Sequence, residues 1–206
     1  PAIGMKYSKV IFVGDSRTAG MKATLNKQVS SSVTSDVSFI AKAGQGLRWF
    51  QSTGYTQLIN EINKTKGSKP IAVVFNLGIN DMANISNYIS YMSDIASTLK
   101  SKNCKLFYMS VNPINSVMIT KAGKGARTEA QVREFNSKIR SGLSLNYKYI
   151  DTYSVLMKKG YGTNSSYSGT DAASDDGLHY TTKTFKRIYY YCITYLNTGS
   201  IDASIY

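Results

Sequence analysis

His179 is the only histidine in this chain of 206 residues, and therefore its one imidazole for proton transfer near neutral pH. It lies in the run Asp175-Asp176-Gly177-Leu178-His179-Tyr180, far downstream of an early Gly14-Asp15-Ser16. A lone His cannot build a multi-histidine metal site, but it can act as a general base, because its ordinary pKa is the one nearest neutrality. A carboxylate three residues earlier, Asp176, can orient the ring, and a Ser at the end of a first strand can serve as nucleophile. Asp175 is an alternative orienter, although the two-residue spacer before His179 favours Asp176. The chemistry this set could perform is acyl transfer through a covalent seryl ester. It needs neither a metal nor a cofactor.

Such residues act together only if the fold brings them together, and the hydrophobic pattern indicates how. Residues 8–13 form a short apolar run ending at Gly14, as expected of a buried strand. Residues 37–41 are a second strand candidate, followed by Gly44-Gln45-Gly46. Residues 71–77 are continuously apolar, the mark of a central parallel strand covered on both faces. Residues 105–111 and 147–150 complete a set of about five strands. Helical patterns alternate with them over 18–28, 47–66, 85–100, 129–145 and 182–196. Phe50, Leu58, Ile59 and Ile62 are core candidates in the second helix, and Ile85, Ile89, Met92, Ile95, Ala96 and Leu99 form one face of the third. This alternation predicts a single α/β domain over 1–206, a three-layer α/β/α sandwich on a parallel sheet with right-handed crossovers. Residues 112–127 and 152–176 read as long irregular segments, the kind that are functional or mobile in a compact domain.

In a parallel sheet of this type, sites form beyond the carboxyl ends of the strands. Gly14-Asp15-Ser16, Gly44, Gly78-Ile79-Asn80-Asp81 and Asp176-x-x-His179 all fall there. Together, in this order, they resemble the four blocks of the SGNH hydrolases, the GDSL esterase/lipase family, whose fold is flavodoxin-like. The resemblance implies that Ser16 is the nucleophile, His179 its base and Asp176 the residue that orients the imidazole. It implies an oxyanion hole from the backbone N–H of Ser16, the backbone N–H of Gly44 and the side-chain amide of Asn80. The second block departs from the family pattern: Lys42-Ala43-Gly44-Gln45-Gly46 lacks the Asn many relatives carry two residues before the glycine, so Gly46 stands as an alternative donor. Arg17 occupies a position that is often apolar in relatives; a surface place on the helix is expected for it, with a place facing the cleft, toward an acyl carbonyl or an anionic substrate group, as the alternative. Each residue also has a plain structural reading: Ser16 or Asn80-Asp81 as helix caps, Gly44 and Gly78 as turn glycines, His179 as a satisfied structural side chain.

Composition bounds the partners. Lys and Arg number 25 against 12 Asp and Glu, a formal charge of +13 and a calculated pI near 9.6. This field suits anionic polymers, cell-wall glycans among them. The lysines are scattered without a basic arm, so no nucleic-acid partner is expected, and no apolar run is long enough for a membrane span. Tyr153, Tyr161, Tyr167 and Tyr180 fall in polar stretches and suit stacking against sugars. The expected function is hydrolysis of short-chain esters, acetyl above all, on carbohydrate. An extracytoplasmic O-acetyltransferase acting on cell-wall glycan is the alternative, and a non-catalytic module for anionic polysaccharide is the alternative of another class. Pro1 opens the chain with no signal-peptide pattern, so a processed or excised form of an exported bacterial protein is expected. Cys104 and Cys192 are expected to be buried free thiols.

Overall fold

The computed structural model describes residues 6–204. Five parallel strands form the central sheet: β1 (Lys9–Gly14), β2 (Val37–Ala41), β3 (Ile71–Asn76), β4 (Cys104–Met109) and β5 (Lys148–Ile150), in the order β2-β1-β3-β4-β5. The strand order reverses direction at β1 and β3, which lie side by side with Gly14 paired to Asn76. A crevice therefore opens outside their carboxyl ends.

The helices are α1 (Ser16–Gln28), α2 (Ser31–Thr34), α3 (Leu47–Trp49), α4 (Tyr55–Lys64), α5 (Ile85–Ser101), α6 (Ser116–Lys121), α7 (Glu129–Gly142), α8 (Thr152–Lys159) and α9 (Thr182–Thr198). A two-strand antiparallel ribbon, β6 (Thr163–Asn164) with β7 (His179–Tyr180), is set apart from the main sheet. The three layers follow from the period-two alternation of the buried strands. Ile11, Val13, Val73, Phe75, Leu106 and Tyr108 face one core, which α4, α5 and α7 cover with Leu58, Ile62, Met92, Leu99, Val132 and Ile139. Val10, Phe12, Ala72, Val74, Phe107 and Met109 face the other, covered by Met21 and Leu25 of α1, Leu156 of α8 and a Tyr-rich stripe of α9.

Several expected boundaries move. The helix read over 47–66 is two helices joined by a π-helical turn at Phe50–Gly54, and Ile59 is half-buried against the core rather than inside it. The segments read as irregular contain α6, α8 and β6, because Ile119, Tyr153 and Leu156 give short helices an apolar anchor that the surrounding polar composition hides. Cys104 and Cys192 are buried free thiols in opposite cores, with the sheet between them.

Candidate active site

The chain leaves β1 at Gly14 and enters α1 at once. Asp15 is the N-cap, its carboxylate accepting from the Arg17 N–H at 2.9 Å, so Ser16 is the first helical residue and not the cap. There its hydroxyl stands at the rim of the crevice while its backbone N–H is one of the helix donors without an intrahelical partner. From the other end of the sequence, β7 delivers His179. Its Nε2 lies 2.9 Å from Ser16 Oγ and its Nδ1 lies 2.6 Å from Asp176 Oδ2. All three side chains are buried, at 5% exposure or less.

The turn that holds Asp176 against His179 is local and tight. Asp176 Oδ1 accepts from the backbone N–H of Leu178 and of His179, both at 2.9 Å. Gly177 between them has φ of 70°, and a Cβ there would lie 2.3 Å from the Asn115 carbonyl, so another residue would strain the turn and clash. Burial pushes the Asp176 carboxyl up, but the hydrogen bonds from the His179 N–H, the His179 ring and the Leu178 N–H outweigh it and hold it below its ordinary range. Burial also pushes His179 down; Asp176 opposes this, Arg17 and Lys124 reinforce it, and the imidazole ends below its ordinary value. His179 is thus neutral at pH 7, with Asp176 ionised. Asp175 does not reach the ring: it accepts from Thr163 Oγ1 and from the Gly177 N–H.

Asn80 follows β3, at the same carboxyl edge of the sheet as Ser16. Its amide Nδ2 donates to the Gln45 carbonyl at 2.9 Å, which leaves a second N–H. Its Oδ1 accepts from Arg127 Nη2 at 3.1 Å, and Arg127 also donates to the carbonyls of Ile79 and Gly125, at 2.7 Å each. The guanidinium therefore fixes which end of the amide points where. Gly44 has φ of 74° and open space on the side where a Cβ would stand. Gly46 differs: a Cβ there would lie 2.2 Å from the Asp81 carboxylate, which caps α3 by accepting from the Leu47 N–H and also accepts from the Tyr88 hydroxyl. An oxyanion beside Gly46 would meet that negative charge, which favours Gly44 over Gly46 as the candidate donor.

Two arginines matter more than their positions in the sequence indicate. Arg17 is not a surface residue. It is 5% exposed, its guanidinium donates to the carbonyls of Leu178, Asn112 and Pro113 at 2.7 to 2.9 Å, and it stacks over the Tyr180 ring at 4.7 Å. The reason is topological: the first turn of α1 lies beneath the two loops whose carbonyls need donors. Arg127 went unrecognised because no spacing links it to Asn80. Of the four tyrosines expected to meet sugars, Tyr153 and Tyr180 are buried, and Tyr161 donates to the Ile114 carbonyl. Tyr167 alone among them is exposed, at 41%, with its ring stacked on His179 at 4.5 Å and 25°.

A sequence profile of the GDSL-like lipase/acylhydrolase family matches residues 10–191, a span that runs from β1 through most of α9. The chain belongs to this family. No curated protein is a detectable sequence relative. Among solved structures, an acylhydrolase-like protein from Bacteroides fragilis superposes with a TM-score of 0.67 at 17% identity, covering 94% of this chain and 90% of its own. An acetyl xylan esterase superposes at 0.60 with 15% identity, over 92% and 99% of the two chains. A lipolytic G-D-S-L protein from Veillonella parvula superposes at 0.53 with 17% identity, over 93% and 96%. At such identities the likeness speaks for the fold, and what this GDSL-family enzyme does must be argued from its cleft.

Proposed function

We propose that this GDSL-family enzyme hydrolyses short-chain esters, acetyl above all, carried on carbohydrate, with Ser16, His179 and Asp176 as its catalytic triad. The observation that carries the reading is the unbroken relay Ser16 Oγ···Nε2 His179 Nδ1···Oδ2 Asp176, with both contacts under 3 Å. Ser16 Oγ attacks the ester carbonyl carbon as His179 Nε2 takes its proton. The oxyanion that forms is met by the N–H of Ser16, the N–H of Gly44 and the free Nδ2–H of Asn80. The tetrahedral intermediate then collapses: the carbonyl re-forms, the bond to the alcohol oxygen breaks, and Nε2–H protonates that oxygen as it leaves. Water repeats the sequence on the acyl-enzyme, with His179 again the base, and releases the acid.

The substrate class rests on the surroundings. Cavities of about 720 and 490 Å³ lie elsewhere on the surface and include neither Ser16 nor His179, and neither serves the cleft as a long acyl tunnel. Tyr167 offers the outer face of its ring beside the imidazole that must protonate the leaving alcohol, which suits a sugar ring on the alcohol side. The net charge favours an anionic glycan from outside the cell. The test is p-nitrophenyl acetate turnover by the purified chain, lost in Ser16→Ala and in His179→Ala, followed by acetate release from acetylated xylan or peptidoglycan. Acetyl transfer onto a chitooligosaccharide in place of release would convert the assignment to a transferase. Full turnover in Ser16→Ala would remove the triad altogether.

A further inference from the structure

The opposite edge of the sheet carries a groove of about 720 Å³, with Lys6, Lys100, Lys105, Lys148, Asn103 and Asn146 on its walls. It opens at the amino ends of β3, β4 and β5, whereas Ser16 stands at the carboxyl end of β1. A six-residue strand spans roughly 20 Å, so the groove and the cleft are separated by about the depth of the molecule.

No Asp or Glu lines the groove, and none of its four lysines has a carboxylate partner among the described residues. Elsewhere three lysines are paired, Lys9 and Lys64 with Glu61 and Lys138 with Glu134; what sets the groove apart is that its lysines converge on one concavity with no acidic residue in the lining. The two walls are joined by Lys100 Nζ donating to Asn146 Oδ1 at 2.8 Å, which orients that ammonium across the groove. Ammonium groups gathered in a concavity without counter-charge repel one another, and an anion relieves that repulsion. The volume falls in the range of ligand clefts. The aromatic rings of the lining, Tyr7, Phe107 and Tyr147, are buried at 8%, 4% and 5% and are not available to stack on nucleobases.

We propose that this groove is a second polymer site, which holds a segment of polyanionic polysaccharide bearing carboxylate or phosphodiester charge at the edge of the sheet remote from Ser16. A polymer held there keeps the enzyme at its surface and raises the local concentration of ester groups before the cleft without touching the acyl-enzyme. The assignment does not depend on which ester the cleft prefers.

The experiment compares two four-fold charge reversals of the full chain that change net charge equally. One is Lys6→Glu, Lys100→Glu, Lys105→Glu and Lys148→Glu in the groove; the other is Lys22→Glu, Lys158→Glu, Lys159→Glu and Lys183→Glu, outside it. Binding to polygalacturonate and to a phosphodiester-linked capsular polysaccharide is measured across a salt series, with neutral xylan and duplex DNA as further probes. The groove variant should lose about ten-fold or more in affinity for at least one of the two anionic polymers, with a shallower salt dependence, and the control variant less than about three-fold. Which polymer responds identifies the charge recognised. Turnover of p-nitrophenyl acetate should be unchanged in both. Equal losses in the two variants, no loss in either, or tighter groove-dependent binding of DNA than of both polysaccharides would overturn the proposal. Should the four-fold groove variant fail to fold, Lys105→Glu with Lys148→Glu alone carries the same comparison.

Discussion

The wall of the cleft that carries His179 is bound to the rest of the molecule at many points, whereas the wall that carries Gly44 hangs on its neighbours Asn80 and Asp81. On the first wall, Asp176 spends one oxygen on its own turn and the other on the imidazole, while Arg17 ties the Leu178 carbonyl to two more on the facing loop. On the second, Asn80 holds the Gln45 carbonyl, Asp81 holds the Leu47 N–H, and Gly44 itself is exposed. A proton relay demands distances fixed to a few tenths of an ångström. An oxyanion hole needs donors aimed at a charge that exists only in the transition state. The two walls should therefore fail differently when cut.

The largest loss is expected on the first wall. Ser16→Ala or His179→Ala should lower kcat by roughly 10⁴-fold or more, and the double variant should lose little beyond either single one, because the relay acts as a unit. Additive losses, measured with p-nitrophenyl acetate, would show that the two side chains work separately. On the second wall, Asn80→Ala should lower kcat by about 10²–10³-fold with KM and folding little changed. Arg127→Met should do the same on a smaller scale, roughly ten-fold, because it removes the group that aims the amide and not the donor itself. An effect of Arg127→Met on KM alone would reassign this arginine to substrate binding.

Arg17 separates stability from chemistry. Replacing it with Met keeps much of the volume but strands three buried carbonyls, at a cost of about 3 kcal/mol in denaturant unfolding. A variant as stable as the parent would mean that water satisfies those carbonyls. Asp15 should show the reverse. Burial pushes its carboxyl up to about 6, against an opposing pull from the Arg17 N–H and charge. A raised carboxyl stabilises the fold fully below its unfolded pKa, and that contribution is lost as pH rises towards 6. Asp15→Asn keeps an acceptor for the helix cap and removes the charge. It should be more stable than the parent by about 2–3 kcal/mol at pH 8, a gap that shrinks to nothing by pH 3. Equal unfolding midpoints at both pH values would refute this.

The sheet was legible because burial on both faces leaves an unbroken apolar run such as 71–77, and a strand end is where such a run stops. The meeting of Ser16, His179 and Asp176 was legible because one His and a short Asp-x-x-His turn leave few alternatives. Arg17 and Arg127 were not. Apart from the Gly125 carbonyl beside Arg127, each is placed by carbonyls or an amide that lie 47 to 161 residues away in the chain, and no local pattern encodes a long-range hydrogen bond. The tyrosines misled for a related reason. A polar neighbourhood in sequence says nothing of whether an aromatic ring turns into a core, as Tyr153 of α8 and Tyr180 of β7 do and Tyr167 does not.

The smallest effect is the most diagnostic. Only neutral imidazole can accept the Ser16 proton, so activity should rise with pH through the His179 pKa and level off above it. Burial, with help from Arg17 and Lys124, holds that pKa below the ordinary 6.5, so the acid limb should lie below 6.5 and the plateau should be reached by neutrality. Asp15 titrates in the same interval, next to Ser16, and is the other group able to give an acid limb. The two are separable. In Asp15→Asn a limb set by His179 survives with a modest shift, whereas a limb set by Asp15 disappears. Lys124→Gln should move a His179 limb slightly upward, because it removes a positive charge that disfavours imidazolium, and should leave an Asp15 limb where it was. A profile of kcat/KM for p-nitrophenyl acetate from pH 4 to 8 on the parent and these two variants decides between them. A limb absent in Asp15→Asn and indifferent to Lys124 would take proton control away from the His179 wall and give it to the cap of α1.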